Sequence, residues 1–204
     1  MSEIFRGIVG IKDVNDAIYL MMKKLKEHSR ETYEHSIAVS KLAGSLGAVL
    51  GYSPEDIIRL NIAGMLHDIG KLAVPATLLH KKGALDEQEW ELMKRHPEAG
   101  YKMLLPYVND VSVLLAVRQH HERTDGSGYP DGLSGEITEF AKIITLADVF
   151  DGLTRKRSYR KKEISAADAR KIMFMEKGRY DREFLELFFN VIIQNTQEGA
   201  NVNV

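Results

Sequence analysis

His67 and Asp68 are consecutive, and they close the apolar run from Ile62 to Leu66, so an imidazole and a carboxylate fall where a buried helix stops. A His-Asp pair alone is weak support for metal binding. Its setting says more. An ionised carboxylate without a partner costs roughly several kcal/mol to bury, so Asp68 needs a cation beside it or keeps its proton. A divalent metal is the simplest such cation. Elsewhere, His35 continues a helical stripe of Ala38, Leu42, Leu46 and Val49, with Glu31 one turn before it. His96 precedes Pro97, His120 and His121 end the apolar stretch from Val111, and Asp148 shares a face with Phe140, Ile144, Ala147 and Asp151. Singly, each has an ordinary explanation: a hydrogen-bonded core histidine for His35, a solvated helix end for Glu31, a plain junction for His96.

Together they are harder to dismiss. Of seven histidines, His28 and His80 read as exposed, and the other five fall on apolar stripes or at helix ends. With Asp68, Asp148 and Glu31 they make a donor set too large for one tetrahedral zinc and suited to two or three octahedral ions that also hold water. The chain has no cysteine, which excludes disulfides, zinc–thiolate sites and thiol nucleophiles. Mixed imidazole and carboxylate ligation suits iron or manganese, and less specifically nickel or cobalt. A carboxylate can bridge two ions where a neutral imidazole cannot, so Asp68 is the expected shared ligand. Two ions ~3.5 to 4 Å apart can hold a hydroxide and clamp both oxygens of an in-line phosphoryl displacement.

The elements that must position these groups are helices. Ile18, Met21, Met22 and Leu25 predict a helix over 14–27, and the His35 stripe predicts another from Glu31 to Leu50. Ser53-Pro54 starts a third that runs to His67-Asp68, and Asp86 with Glu89 starts one whose apolar side is Trp90 and Met93. Further helices are expected over Val111–His121, after Thr138, after Ser165, and through Phe184, Leu187, Phe188, Val191 and Ile192, before a polar tail from Gln194. Pro75 to Gly83 reads as a surface loop, and Thr124 to Gly132 as constrained turns, either a functional loop or a simple connection. Strand-like alternation is scarce, so the expectation is one all-α domain, which 204 residues with 44% hydrophobic and 28% charged content can fill. A net charge of −1 predicts no general attraction to nucleic-acid polymers or membranes, and no signal peptide or membrane span is read, which fits a cytoplasmic protein. The run Arg155 to Lys162 has six basic residues in eight, a solvated patch or an anion-binding lip beside Asp148.

His35, the His67-Asp68 pair, Lys71, His96, the segment HHERTDGSGYPDG at 120–132 and Asp148 resemble the HD-GYP domain, a subgroup of the HD phosphohydrolases. The likeness runs roughly from Tyr33 to Phe188, and it divides the chain into an N-terminal extension (1–30), a helical HD-type domain (31–193) and a polar tail (194–204). It implies hydrolysis of cyclic di-GMP to pGpG, and further to GMP, by a metal-bridging hydroxide at two or three divalent ions. Carried over by position, His35, His67, Asp68 and Asp148 would hold one ion, and Asp68 would bridge to a second held by His96, His120 and His121. Glu31 resembles the extra carboxylate of three-metal members, or only positions water. Lys71, three residues past Asp68, can meet a phosphate oxygen, Arg157 and Arg160 match phosphate-binding positions, and Tyr129 lines the site or packs its loop. Ser158 stands where a proline is usual and Gly152 where an alanine is usual. Another cyclic dinucleotide or nucleotide as substrate, a binding module without turnover, and a di-iron redox site are the competing readings. A stand-alone enzyme or an excised module, protein partners and a homo-oligomer all stay open.

Overall fold

The structure, a computed structural model, describes residues 13–155 and 164–201, with 193–201 as backbone alone. Among the described residues there is no strand. Ten α-helices follow in order: α1 Val14–His28, α2 Arg30–Val49, α3 Pro54–Leu66, α4 Ala76–Leu79, α5 Glu87–Met93, α6 His96–Leu104, α7 Val111–Gln119, α8 Glu139–Thr154, α9 Ala166–Met175 and α10 Arg182–Asn201. A 3-10 helix, Ile69–Ala73, follows α3. Short polar side chains set the starts. Asp13, Ser53, Asp86, Asp110, Thr138 and Ser165 each accept a backbone N–H from the first turn of the helix that follows. Ser29 does two jobs: its backbone N–H closes α1 on Leu25 O, and its hydroxyl accepts Thr32 N at the start of α2.

α2 packs on α3 and α8, α6 packs on the 3-10 helix and α7, and α10 lies over α2 and α8. Val39, Ala43, Leu46, Leu60, Ala63, Leu66, Ile143, Ile144 and Leu146 are buried where these helices meet. Each fully buried leucine is worth ~2 kcal/mol. Because Leu66 immediately precedes His67, the packing that stabilises the fold also fixes the start of the site. α1 joins the same core through Met21, Met22 and Leu25.

Three expectations change. The segment read as a surface loop contains α4, because Leu78 turns its side chain into the interior and is buried; four residues are too few to show a period. His28 is half-buried, its Nε2 donating to Val74 O at 2.9 Å. The tail read from Gln194 continues α10 as helical backbone to Asn201, since polarity alone does not end a helix.

α5 differs from its neighbours in burying no residue. A reciprocal cap between Asp86 and Glu89 and an ion pair from Lys81 to Glu89 hold it instead.

Candidate metal centre

The site forms where helices end. His67 caps α3, His120 caps α7, and His96 follows the last residue of α5 by three positions. The last carbonyls of a helix have no partner within it. Each imidazole uses one of them: His67 Nδ1 donates to Gly64 O at 2.7 Å, His96 Nδ1 to Met93 O at 2.8 Å and His120 Nδ1 to Val117 O at 2.8 Å. The same i−3 bond, made three times, places the proton on Nδ1 and aims the Nε2 lone pair inward. Metal-binding histidines are oriented this way.

Asp68, 1% exposed, sits in the middle. Its Oδ1 lies 3.2 Å from His96 Nε2 and 4.0 Å from His120 Nε2, and its Oδ2 lies 3.4 Å from His67 Nε2 and 3.8 Å from His35 Nε2. Asp68 belongs to both of two donor groups, His35-His67-Asp68 and Asp68-His96-His120-His121, in each of which the donor atoms lie within 4.8 Å of one another. Asp148, from α8, borders both groups. Its Oδ1 is 3.0 Å from His35 Nε2 and 4.0 Å from His67 Nε2, and its Oδ2 is 3.7 Å from His121 Nδ1.

Two observations test whether an ion fits. His67 Nε2 and Asp68 Oδ1 are buried without a hydrogen-bond partner, a costly arrangement that a cation would relieve. His96 Nε2 and His120 Nε2 approach to 3.2 Å. With both protons held on Nδ1, neither Nε2 can donate to the other, so two lone pairs converge on one point. The donors present fit divalent ions.

Electrostatics agree. Burial opposes charge on Asp68, but Lys71 and the surrounding imidazoles hold its carboxyl well below the usual range. Burial likewise opposes charge on Asp148, and His35 and its neighbours outweigh it. Burial, then the other imidazoles, pushes His120 and His121 well below the ordinary histidine value, which leaves their nitrogens free to ligate. His35 goes the other way. Burial opposes its charge, yet its bonds to Asp148 and to Asp151 Oδ2, the latter at 2.6 Å from Nδ1, raise it to about 9.

That value gives a signed expectation. Charge on His35 stabilises the ion-free fold fully below 6.5, and the contribution is lost as pH rises through about 9. An ion taking Nε2 must displace that proton. Metal affinity is therefore expected to climb with pH up to about 9, and loading at neutral pH to release protons that a weakly buffered indicator dye would register. Loading without proton release would remove His35 from the ligand set.

The remaining sequence candidates divide. Lys71, on the 3-10 helix, puts Nζ 2.6 Å from Asp68 Oδ2. Tyr129 lays its ring 4.7 Å from that of His121, and burial, then Asp148 and Asp68, pushes its hydroxyl upward, so it is a neutral donor and not a base. Glu31 is exposed on the rim of the adjoining cavity and is in neither donor group. Arg157 and Arg160 lie outside the described residues. Arg155, the first of the basic run, turns inward: its guanidinium pairs with both oxygens of Asp151 and with Glu34 O.

Four contributors carried no assigned role at the site. Asp151 was placed on the stripe of Asp148, but its role comes from a partner 116 residues away, His35. Glu122 follows the two histidines, is 1% exposed, and accepts from the backbone N–H groups of Asp131, Gly132 and Leu133, which docks the turn that carries Tyr129. Gly128 lets that turn come close, since a Cβ there would stand 2.4 Å from Glu122 Cα. Trp90 meets Tyr129 edge to face at 6.1 Å. Its one sequence signal was its place with Met93 on the apolar side of a short helix.

The chain is similar to several known proteins. A cyclic di-GMP phosphodiesterase response regulator, RpfG, of Xanthomonas campestris pv. campestris is 44% identical over 69% of this chain and 38% of its own length. A cyclic di-GMP phosphodiesterase of Pseudomonas aeruginosa is 40% identical over 85% of this chain and 42% of its own. The 3'3'-cGAMP-specific phosphodiesterase 1 of Vibrio cholerae is 36% identical over 100% of this chain and 47% of its own. The chain thus spans less than half the length of these relatives. Among solved structures, an HDG"Y"P protein of Bdellovibrio bacteriovorus superposes with a TM-score of 0.68 at 20% identity, over 93% of this chain and 67% of that one, which shows the shared fold. No helix among the described residues is long and apolar enough to cross a membrane. A family profile for the HD domain matches residues 16–184, so the chain, which also carries the HD-GYP signature, belongs to the HD-domain family.

Proposed function

We propose that the chain is the catalytic unit of a cytoplasmic, metal-dependent phosphodiesterase that hydrolyses cyclic di-GMP to pGpG, and in a second cut to GMP. Residues 31–193 would form the catalytic domain, with α1 bracing it. The observation that carries the reading is the convergence of unprotonated Nε2 atoms on buried Asp68. The two donor groups, joined by Asp68 and flanked by Asp148, would hold two divalent ions, iron or manganese by donor type, with Glu31 near a third. When bound, such ions supply Lewis acidity toward a phosphodiester oxygen and lower the pKa of water.

The chain's own groups do the rest. Asp151 holds His35 by Nδ1, so the Nε2 side faces the centre. Lys71 stands between Asp68 and a cavity of about 600 Å³, placed to offset charge that develops on phosphoryl oxygens. Tyr129 offers a protonated hydroxyl beside His121. Arg157 and Arg160 would add positive charge at the lip. A binding module without turnover is disfavoured by the same convergence, because a pure binder has no need of buried unpaired donors. The similarity to a 3'3'-cGAMP-specific enzyme over the full chain favours that dinucleotide as a second substrate.

The test is turnover of cyclic di-GMP and of 3'3'-cGAMP by protein purified without oxygen, with products resolved by chromatography. Lys71→Ala is expected to keep its metal and lose about 100-fold or more in turnover. Unchanged turnover would remove Lys71 from the mechanism. Absence of any cyclic dinucleotide hydrolysis by metal-loaded parent protein would reject the function.

A further inference from the structure

We propose that Trp90 is the wall on which a purine base of the substrate stacks, an inference that rests on the phosphodiesterase reading above and assigns the part of the cavity that holds the base. Trp90 is the single tryptophan of the chain, and it is 44% exposed. Tryptophan side chains usually enter a core, where each buries a large apolar area. This one does not. None of the apolar residues of α5 is part of the hydrophobic core or packs against it. The helix is held by its Asp86–Glu89 cap and by Lys81, so the indole is not needed to keep it in place.

What the indole does face is the cavity beside the metal centre. Trp90 and Met93, one turn apart on α5, line it together with Leu78, Leu79 and Leu85. The polar lining includes Glu31, Thr32, His35 and Lys71, with His80 and Lys81 beside the leucines. The lining thus offers an aromatic and apolar set, Trp90 and Met93 with the leucines, and a polar set of which His35 and Lys71 belong to the metal centre. A nucleotide is divided in the same way, with a flat π-face at one end and a charged phosphodiester at the other. Placing the phosphate by Lys71 and His35 leaves the base to the region that contains Trp90. Tyr129 supports this wall: it meets the indole edge to face at 6.1 Å and rests on His121 at 4.7 Å, so the wall is keyed to a residue of the metal centre.

Stacking on an aromatic side chain adds affinity without reading the base edge, so guanine and adenine are both accepted, which suits turnover of cyclic di-GMP and 3'3'-cGAMP alike. Trp90→Ala in the Mn²⁺-loaded full chain is expected to raise KM for both dinucleotides about tenfold or more, with kcat within about twofold and metal content unchanged. Trp90→Phe is expected to recover most of the loss. In the parent, excited where tyrosine does not absorb so that emission comes from this one indole, titration with pGpG is expected to quench fluorescence in a saturable way, a readout that needs no variant to fold. Turnover by the parent with KM unchanged in Trp90→Ala, or a loss confined to kcat and metal content, would overturn the base wall and leave the phosphodiesterase standing. A saturating pGpG signal from calorimetry with no fluorescence change would do the same. If the parent turned over no cyclic dinucleotide, both readings would fall together.

Discussion

Asp68→Ala is expected to lower bound metal below one ion per chain and to cut turnover by about a thousandfold or more, the effect of losing several kcal/mol of transition-state stabilisation. The size follows from position. Asp68 is the one residue in both donor groups among the described residues, so its removal depletes two positions at once, whereas loss of His67 or His121 depletes one. Its carboxylate is also the counter-charge for Lys71 at 2.6 Å and the anion nearest His96. Without it a cluster of imidazoles and an ammonium would share a buried space with less negative charge to balance them. Metal analysis beside steady-state kinetics checks the result, and Asp68→Asn separates charge from shape, since the amide keeps the volume and loses the anion. An alanine variant that kept its metal and its rate would end the bridging assignment.

Gly70→Ala is expected to cost about 3 kcal/mol or more, the upper end of overpacking. In a chain of this size that lowers the thermal midpoint by roughly 6 to 12 °C. A Cβ on Gly70 would fall 1.9 Å from His96 O and 2.5 Å from Gly100 N. Both are backbone atoms, so no side-chain rotation relieves the overlap, and the 3-10 helix and α6 must separate. α6 begins with His96, so the same displacement pulls a donor away from Asp68. Calorimetry of the metal-free and metal-loaded forms should therefore show a lower midpoint and a smaller gain on loading. An unshifted midpoint would mean that α6 adjusts without cost.

The two substitutions bear on how far the sequence could be read. Helix starts were legible because they are local: Ser53 before Pro54, Asp86 before Glu89, Thr138 and Ser165 each satisfy an N–H within three residues. The donor histidines were legible because they continue apolar stripes or fall at helix ends and junctions. Their orientation was not, since it depends on the carbonyl left free where a helix stops, and α7 stops at Gln119, before the two histidines rather than after them. Asp151 and Glu122 were hidden for a different reason. A carboxylate that steadies an imidazole across the fold, or three N–H groups of a later turn, leaves no periodic mark on the chain. The contact at Gly70 was equally silent, because a glycine in sequence does not say which backbone it approaches.

The three carbonyl-anchored imidazoles have one more consequence. Their rotamers are already chosen when the helices finish folding, so the entropy of ordering them is settled before any ion arrives. Capture then resembles filling a mould, and discrimination among ions falls to the size of the hole and the hardness of the donors around it.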